Sequence, residues 1–279
     1  RQNNQLEEAT PWFSPNQATP DFFHQCSATA LPELPPHSGQ GLVTLFIDLN
    51  FGEYAAVPLI SPLEAGECYY FEMYVALKSP NKFLANSLGA YFSEQPLTSS
   101  GKGLLPVTPQ IIDTQLGAGT RPFTWEKVAG YVKPTGGERY LTIGNFNRLP
   151  NLLGDYYLYL DDVSLRRVRV DLGRDTTLCG RQSSYLLRAD ATGATDFRWQ
   201  DGSTSPTFLV TKPGKYWVTV TTPCRTVSDT VNVAYSLDFD LGADTTLCEG
   251  QTLKLSAPAD ARTVRWQDGS TQPSYTVRA

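Results

Sequence analysis

Asp171-Leu172-Gly173-Arg174-Asp175-Thr176-Thr177-Leu178-Cys179 returns as Asp240-Leu241-Gly242-Ala243-Asp244-Thr245-Thr246-Leu247-Cys248, 69 residues further on. A second block, Arg198-Trp199-Gln200-Asp201-Gly202-Ser203-Thr204, returns as Arg265-Trp266-Gln267-Asp268-Gly269-Ser270-Thr271, 67 residues further on. Self-similarity at a nearly fixed period is the mark of a repeat architecture, and the second copy has lost two residues between the blocks. Each copy carries an Asp-Gly pair between short β-forming runs, a strong hairpin signal. The first copy runs on through Lys215-Tyr216-Trp217-Val218-Thr219-Val220 and Cys224 to Val233. The second reaches Ala279 with the matching strand, cysteine and final strand still to come, so the natural protein is expected to continue. The sequence starts at Arg1, with no Met and no signal peptide, as a processed N-terminus would.

Outward from the repeats, 279 residues allow two domains and a fragment of a third. Hydrophobic residues are 41% and charged residues 18%, enough apolar material for a buried core. Tyr 14, Phe 13 and Trp 5, with Gly 22 and Pro 20, suit pleated sheets joined by turns. A net charge of −5 argues against a nucleic-acid partner, which calls for a basic patch. The longest apolar runs, such as Tyr156 to Leu160, are far too short for a membrane-spanning helix.

Residues 1–40 read as irregular, broken by Pro11, Pro15, Pro20, Pro32, Pro35 and Pro36. Strand signals then follow at Gly41–Leu49, Tyr54–Ile60, Cys68–Leu77, Leu88–Ser93, Trp125–Val132, Arg139–Asn145 and Tyr156–Arg167, separated by Gly, Pro, Asn and Ser clusters. Pro58 places the second of these near a sheet edge, and Cys68–Leu77 reads as a central strand. No stretch shows a capped 3.6-residue period. The expected class is all-β: a jelly-roll β-sandwich over 1–168, an Ig-like β-sandwich repeat over 169–235, and a second, truncated repeat over 236–279.

Five cysteines are an odd number for an exported protein. The repeats place Cys248 where the first copy has Cys179, so its partner is expected beyond residue 279. The expected bridges are Cys179–Cys224 and Cys26–Cys68. Each closes a loop of about 45 residues, contributing roughly 4 kcal/mol in the loop-entropy model. Oxidised pairs imply a compartment outside the cytoplasm; the rival reading is a set of buried free thiols.

Leu172–Cys179, Trp199–Thr204, Gly214–Val220 and Cys224 resemble the Ig-like (PKD-like) modules strung along large secreted and cell-surface proteins of Bacteroidetes, of the kind associated with gliding motility and type IX secretion. Residues 1–168 look like the carbohydrate-binding-like jelly-roll at the front of such proteins. This second likeness rests on Pro20–Cys26, Pro36–Gly41, Gly66–Tyr70, Gly89–Phe92, Thr142–Phe146 and Tyr159–Leu165. The resemblance implies a surface or secreted protein exported across the outer membrane.

Jelly-roll binding domains often hold a structural Ca²⁺ between an acidic residue near the N-terminus and an aspartate of the last strand, an ion that takes six to eight oxygens. Asp161 and Asp162 interrupt an apolar strand, and Glu7 is the N-terminal candidate. Strict alternation puts the two aspartates on opposite faces, with Asp162 beside Leu158 and Leu160 toward the core. Trp12, Tyr91 and Trp125 lead the candidates for an exposed aromatic platform binding polysaccharide, with Phe13 and Phe92 behind them. Trp199, Trp217 and Trp266 read as packing centres of the repeats. His24 and His37 are the only histidines, and Ser38 lacks the Gly-x-Ser-x-Gly setting of a nucleophile elbow. The residues therefore point away from an enzyme and toward an extracellular adhesion or binding protein, a jelly-roll head on an Ig-like stalk, with polysaccharide or another surface protein as partner. The alternatives are a self-assembling subunit of a filament or surface layer, and a binding module of a larger secreted enzyme.

Overall fold

The computed structural model describes residues 6, 9–26, 34–49, 51–79, 86–116, 120–148, 156–179, 184–194, 196–236, 239–259, 261 and 263–279. Every regular element of any length among them is a strand. Two compact units result: Arg1–Arg169 together with Thr221–Thr226, and Val170–Val220 together with Val227–Ala279.

The first unit is a two-sheet sandwich. Its strands are β1 (Asp21–His24), β2 (Gly41–Ile47), β3 (Tyr54–Pro58), β4 (Tyr69–Leu77), β5 (Leu88–Ser93), β6 (Ile111–Ile112), β7 (Glu126–Val132), β8 (Tyr140–Asn145) and β9 (Tyr156–Arg167). One sheet runs β1-β2-β9-β4-β7 and the other β3-β8-β5-β6. Alternation explains the core. Phe71, Met73, Val75 and Leu77 of β4 and Leu158 and Leu160 of β9 face inward against Leu88, Ala90 and Phe92 of β5 and Leu141 and Ile143 of β8, all buried. Pro58 ends an edge strand, where its missing N–H leaves no ladder bond unmade. β1 lies inside the stretch expected to be irregular; Asp21-Phe22-Phe23-His24 pairs with Gly41–Thr44 despite the prolines around it.

The second unit holds β10 (Thr176–Cys179), β11 (Tyr185–Arg188), β12 (Asp196–Trp199), β13 (Thr207–Val210), β14 (Gly214–Thr221), β15 (Thr226–Ser236), β16 (Thr252–Ser256) and β17 (Ser274–Arg278). A sheet of order β10-β15-β14-β12 and the pair β11-β13 enclose Trp199, Leu187, Val210, Val218, Val220, Val231 and Val233. The second copy contributes the hairpin β16-β17. Trp199 and Trp266 are buried as expected, but Trp217 is 44% exposed. It alternates with Val218 and Val220, which take the inward positions of β14, so its ring faces solvent.

The cysteines pair differently from the expectation. Cys68 is bonded to Cys224, and Cys26 and Cys248 are free and exposed. Cys26 follows β1, three strand positions from β4. That is about 14 Å at ordinary strand spacing, beyond the roughly 7 Å a disulfide spans between Cα atoms. Cys179 is in register with Ser236 at the end of β15, because β10 runs parallel to β15. Cys224 precedes the start of that strand, roughly 33 Å away along ten residues. The Thr221–Thr226 turn belongs instead to the first unit. There Thr222 Oγ1 approaches Cys68 Sγ at 3.9 Å, and the Arg225 guanidinium meets Glu67, which Arg167 also holds at 2.9 Å.

Candidate functional site

The apolar rhythm of β9 slips once. Leu158 and Leu160 face the core, and the next inward residues are Val163 and Leu165. Two residues, Asp161 and Asp162, fill the gap where alternation allows one. The β4–β9 register shifts at this point, between Glu72 and Tyr74, and Asp162 takes φ 47°. An extra residue in one strand is a β-bulge, a device that re-aims side chains; Asp is one of the few residues that tolerate the left-handed conformation.

The bulge sends both carboxylates to one place. Asp161 Oδ2 accepts the backbone N–H groups of His37 (2.8 Å) and Ser38 (3.2 Å), and its Oδ1 accepts that of Asp162 (2.7 Å). Asp162 Oδ1 accepts the Ser38 hydroxyl at 2.6 Å, and its Oδ2 lies 2.5 Å from His37 Nδ1. The expectation of opposite faces, with Asp162 toward the core, is therefore corrected: the register slip removes the alternation it relied on. The neighbours also titrate in opposite directions. Burial pushes the Asp161 carboxyl up, while the hydrogen bond from His37, then that from Ser38, pulls Asp162 down.

The loop so clamped carries an aromatic edge. The His37 ring stacks on Tyr74 of β4 at 3.7 Å between centroids and meets Trp125 edge-on at 5.8 Å. Trp125 Nε1 donates to the Pro35 carbonyl at 3.3 Å. Trp125 is half-buried against Leu34, Leu42, Ala76 and Tyr159, a satellite cluster on the outer face of the five-stranded sheet. The other aromatic candidates sit elsewhere. Trp12 packs against the main core, and Tyr91 against Tyr54, Leu105 and Phe146. Phe92 is a core residue, and Phe13 is half-buried in a bridge to Ala56. Glu7 lies outside the described residues. Among the described residues no group of three or more His, Cys, Asp and Glu side chains is placed to hold a metal ion.

In a hydrolytic triad the histidine takes the proton of the nucleophilic hydroxyl. Here the Ser38 hydroxyl and the His37 ring both turn to Asp162 instead of to each other. The arrangement fixes a loop and offers no activated nucleophile. His24 is engaged in its own turn, its Nδ1 accepting the Cys26 N–H at 3.1 Å.

One titrating group escaped the sequence reading. Glu53 is 7% exposed and accepts the Phe46 N–H at 2.7 Å. Burial raises its carboxyl to about 7, against the lowering effect of that hydrogen bond, with Asp21 adding to the rise. A single acid ahead of Tyr54 has no pattern that would have singled it out. The bulge did have one: the spacing Leu158, Leu160, Val163, Leu165 is out of phase with period two.

No protein-family model matches the chain, and no curated protein matches it. Among solved structures, the K2 cleaved adhesin domain of Lys-gingipain is 16% identical, covering 56% of this chain and 88% of that one at a TM-score of 0.32. The K3 cleaved adhesin domain of Lys-gingipain from Porphyromonas gingivalis W83 is 14% identical, covering 53% and 91% at 0.27. The adhesin domain of Epf from Streptococcus pyogenes is 8% identical, covering 71% and 79% at 0.26. All three scores are too low for a shared fold to be drawn from them.

Proposed function

We propose that the protein is a non-enzymatic extracellular binding protein, in which the sandwich presents its outer sheet face to polysaccharide and the repeats serve as a stalk. The observation that carries this is the clamp on His37. A bulge and two carboxylates hold one histidine flat on Tyr74, beside Trp125, at the margin of a solvent-facing sheet. Locked aromatic groups beside organised polar ones suit recognition, because little side-chain freedom is left to lose on binding. The Cys68–Cys224 disulfide suits an oxidising compartment. A Bacteroidetes surface protein exported by the type IX route is the form of this proposal that the repeat motifs favour.

Structural calcium is the finer part of the proposal. A Ca²⁺ held by Glu7, Asp161 and Asp162 would have to displace the His37 and Ser38 donors from the two aspartates. Metal analysis of chelator-free protein decides it: about one calcium per chain supports the ion, and none removes it.

The test of the whole reading is a glycan array probed with the full, disulfide-bonded chain, with light scattering of the same sample. Binding to a defined sugar supports it. No binding, from a monodisperse large assembly, would replace it with a structural subunit.

A further inference from the structure

Among the described residues, the satellite cluster covers the outer face of the five-stranded sheet at one end. Leu42, Ala76 and Tyr159 lie beneath Leu34, Phe123 and Trp125. That cover ends at the His37–Tyr74 stack, and the strand register fixes which residues form the open face beyond it. Glu72 of β4 stands between Ser164 of β9 and Ala129 of β7. Two residues further along, Tyr70 lies between Arg166 and Tyr131. The Tyr70 and Tyr131 rings pair at 5.3 Å, and burial raises the Tyr131 hydroxyl's pKa. Along β4 the face thus reads Tyr70, Glu72, Tyr74, with the small residues Ala129 and Ser164 on either side of Glu72. Ala129, Glu72 and Ser164 form the floor between the His37–Tyr74 wall and the Tyr70–Tyr131 wall, and the Arg166 guanidinium reaches across it to Ser164 at 3.4 Å. Four residues of strand separate the walls, about 13 Å.

The floor is also polar. Glu72, 18% exposed, is held 2.5 Å from Arg166, 3.8 Å from the Lys127 ammonium and 3.3 Å from the Ser164 hydroxyl, while Arg166 and Lys127 remain 54% and 47% exposed. A carboxylate flanked by two cations gives adjacent acceptors and donors, the complement of a vicinal diol, in which each hydroxyl donates one bond and accepts another. The cations are already neutralised in part by Glu72, so the trough suits a neutral ligand better than a polyanion. Its length matches two sugar rings, and aromatic side chains, the kind on which the C–H face of a pyranose packs, bound it at both ends.

We propose that this trough is a binding subsite for a neutral pyranose disaccharide unit, with Tyr70 and Tyr131 as its stacking wall and Glu72, Arg166 and Lys127 as its hydroxyl-reading floor. It rests on the binding reading above and assigns the contact to residues other than Trp12, Tyr91 and Trp125. The full chain is run by affinity electrophoresis in gels containing laminarin, mannan or xylan. The native chain is retarded in at least one gel. Tyr70→Ala and Tyr131→Ala weaken that retardation at least tenfold, as for aromatic hot spots. Ala129→Trp, which fills the floor while leaving both tyrosines in place, weakens it equally, and Tyr91→Ala leaves it unchanged. Retardation that survives all three trough substitutions overturns the subsite and leaves the binding function standing. No retardation in any gel overturns both.

Discussion

The sandwich and the repeats obey the same alternation rule, but they use it differently. The repeats restate one solution twice. Trp199 Nε1 donates to Ser205 O and Trp266 Nε1 to Gln272 O, both at 2.8 Å. Asp201 caps the Ser203 N–H and Asp268 the Ser270 N–H, both at 2.9 Å. Gly202 and Gly269 take φ 86° and 85°, where a glycine is needed. The local motif therefore builds the turn in either copy. It does not build the core. In the first copy Val218 and Val220 of β14 and Val231 and Val233 of β15 close over Trp199. In the second, the described residues up to Ala279 supply only β16 and β17, without counterparts of β14 and β15, and Leu253, Leu255, Tyr275 and Val277 are half-exposed. The sandwich instead places its chemistry where the rule breaks, at the Asp161–Asp162 bulge and at the buried Glu53. Regularity builds the repeats; in the sandwich the local exceptions gather the charged and aromatic groups.

The largest effect expected from testing this contrast is at the cystine. Cys68–Cys224 closes a loop of 156 residues, so removing it costs on the order of 5 kcal/mol in the loop-entropy model. Cys68→Ser lowers the melting temperature of the first unit steeply, whereas Cys26→Ser and Cys248→Ser leave it in place. A chain cut after residue 168 loses the Thr221–Thr226 turn and shows the same loss. Peptide mapping under non-reducing conditions checks the pairing directly; a Cys26–Cys68 peptide would refute it. Next in size is Trp199→Ala. It removes a fully enclosed ring and costs about 4 kcal/mol, while Trp266→Ala costs roughly half of that or less, because its neighbours are already open to water. Equal losses in urea denaturation would show that the two copies are packed alike.

Glu53 separates the sandwich from the repeats by pH. Its carboxyl rises from 4.5 unfolded to about 7 folded, so folding favours the protonated acid. The stability it contributes is fully present below pH 4.5 and is lost as the pH rises through about 7, a difference of roughly 3 kcal/mol. Glu53→Gln keeps the shape without the titration and flattens that slope. Urea midpoints measured from pH 4 to 8 check it, and an unchanged slope in the variant would assign the dependence to other groups.

Most strands were legible because alternation and turn residues mark them: Leu88–Ser93 and Tyr156–Arg167 begin and end where the sequence places them. What was not legible depends on which strands become neighbours. Cys26 and Cys68 look paired along the chain, and sheet order separates them. Cys179 and Cys224 look like the two ends of one module, and the parallel pairing of β10 with β15 sends them apart. Trp217 resembles Trp199 in type, and only the inward phase of Val218 and Val220 shows that it faces out. Of the site, Asp161, Asp162 and Trp125 are singled out by the sequence; His37, which the sequence marks only as one of two histidines, is what joins them.

The smallest expected effect concerns the bulge itself and divides it into backbone and side-chain parts. Asp162→Gly relaxes the φ of 47° but loses the bonds to His37 and Ser38. Asp162→Ala loses the same bonds and keeps the strain, which costs roughly a further 1 kcal/mol for a residue with a Cβ. Asp162→Asn tolerates the backbone and retains an acceptor for Ser38, so it falls nearest to the native chain. The expected order of stability is native, Asn, Gly, Ala, read from urea midpoints at pH 7. The same series read by carbohydrate retardation should follow that order, because a loop that is no longer clamped lets His37 leave Tyr74 and opens one wall of the trough. If Asp162→Gly matches the native chain in both assays, the carboxylate clamp is not what holds that wall, and the stack of His37 on Tyr74 suffices by itself.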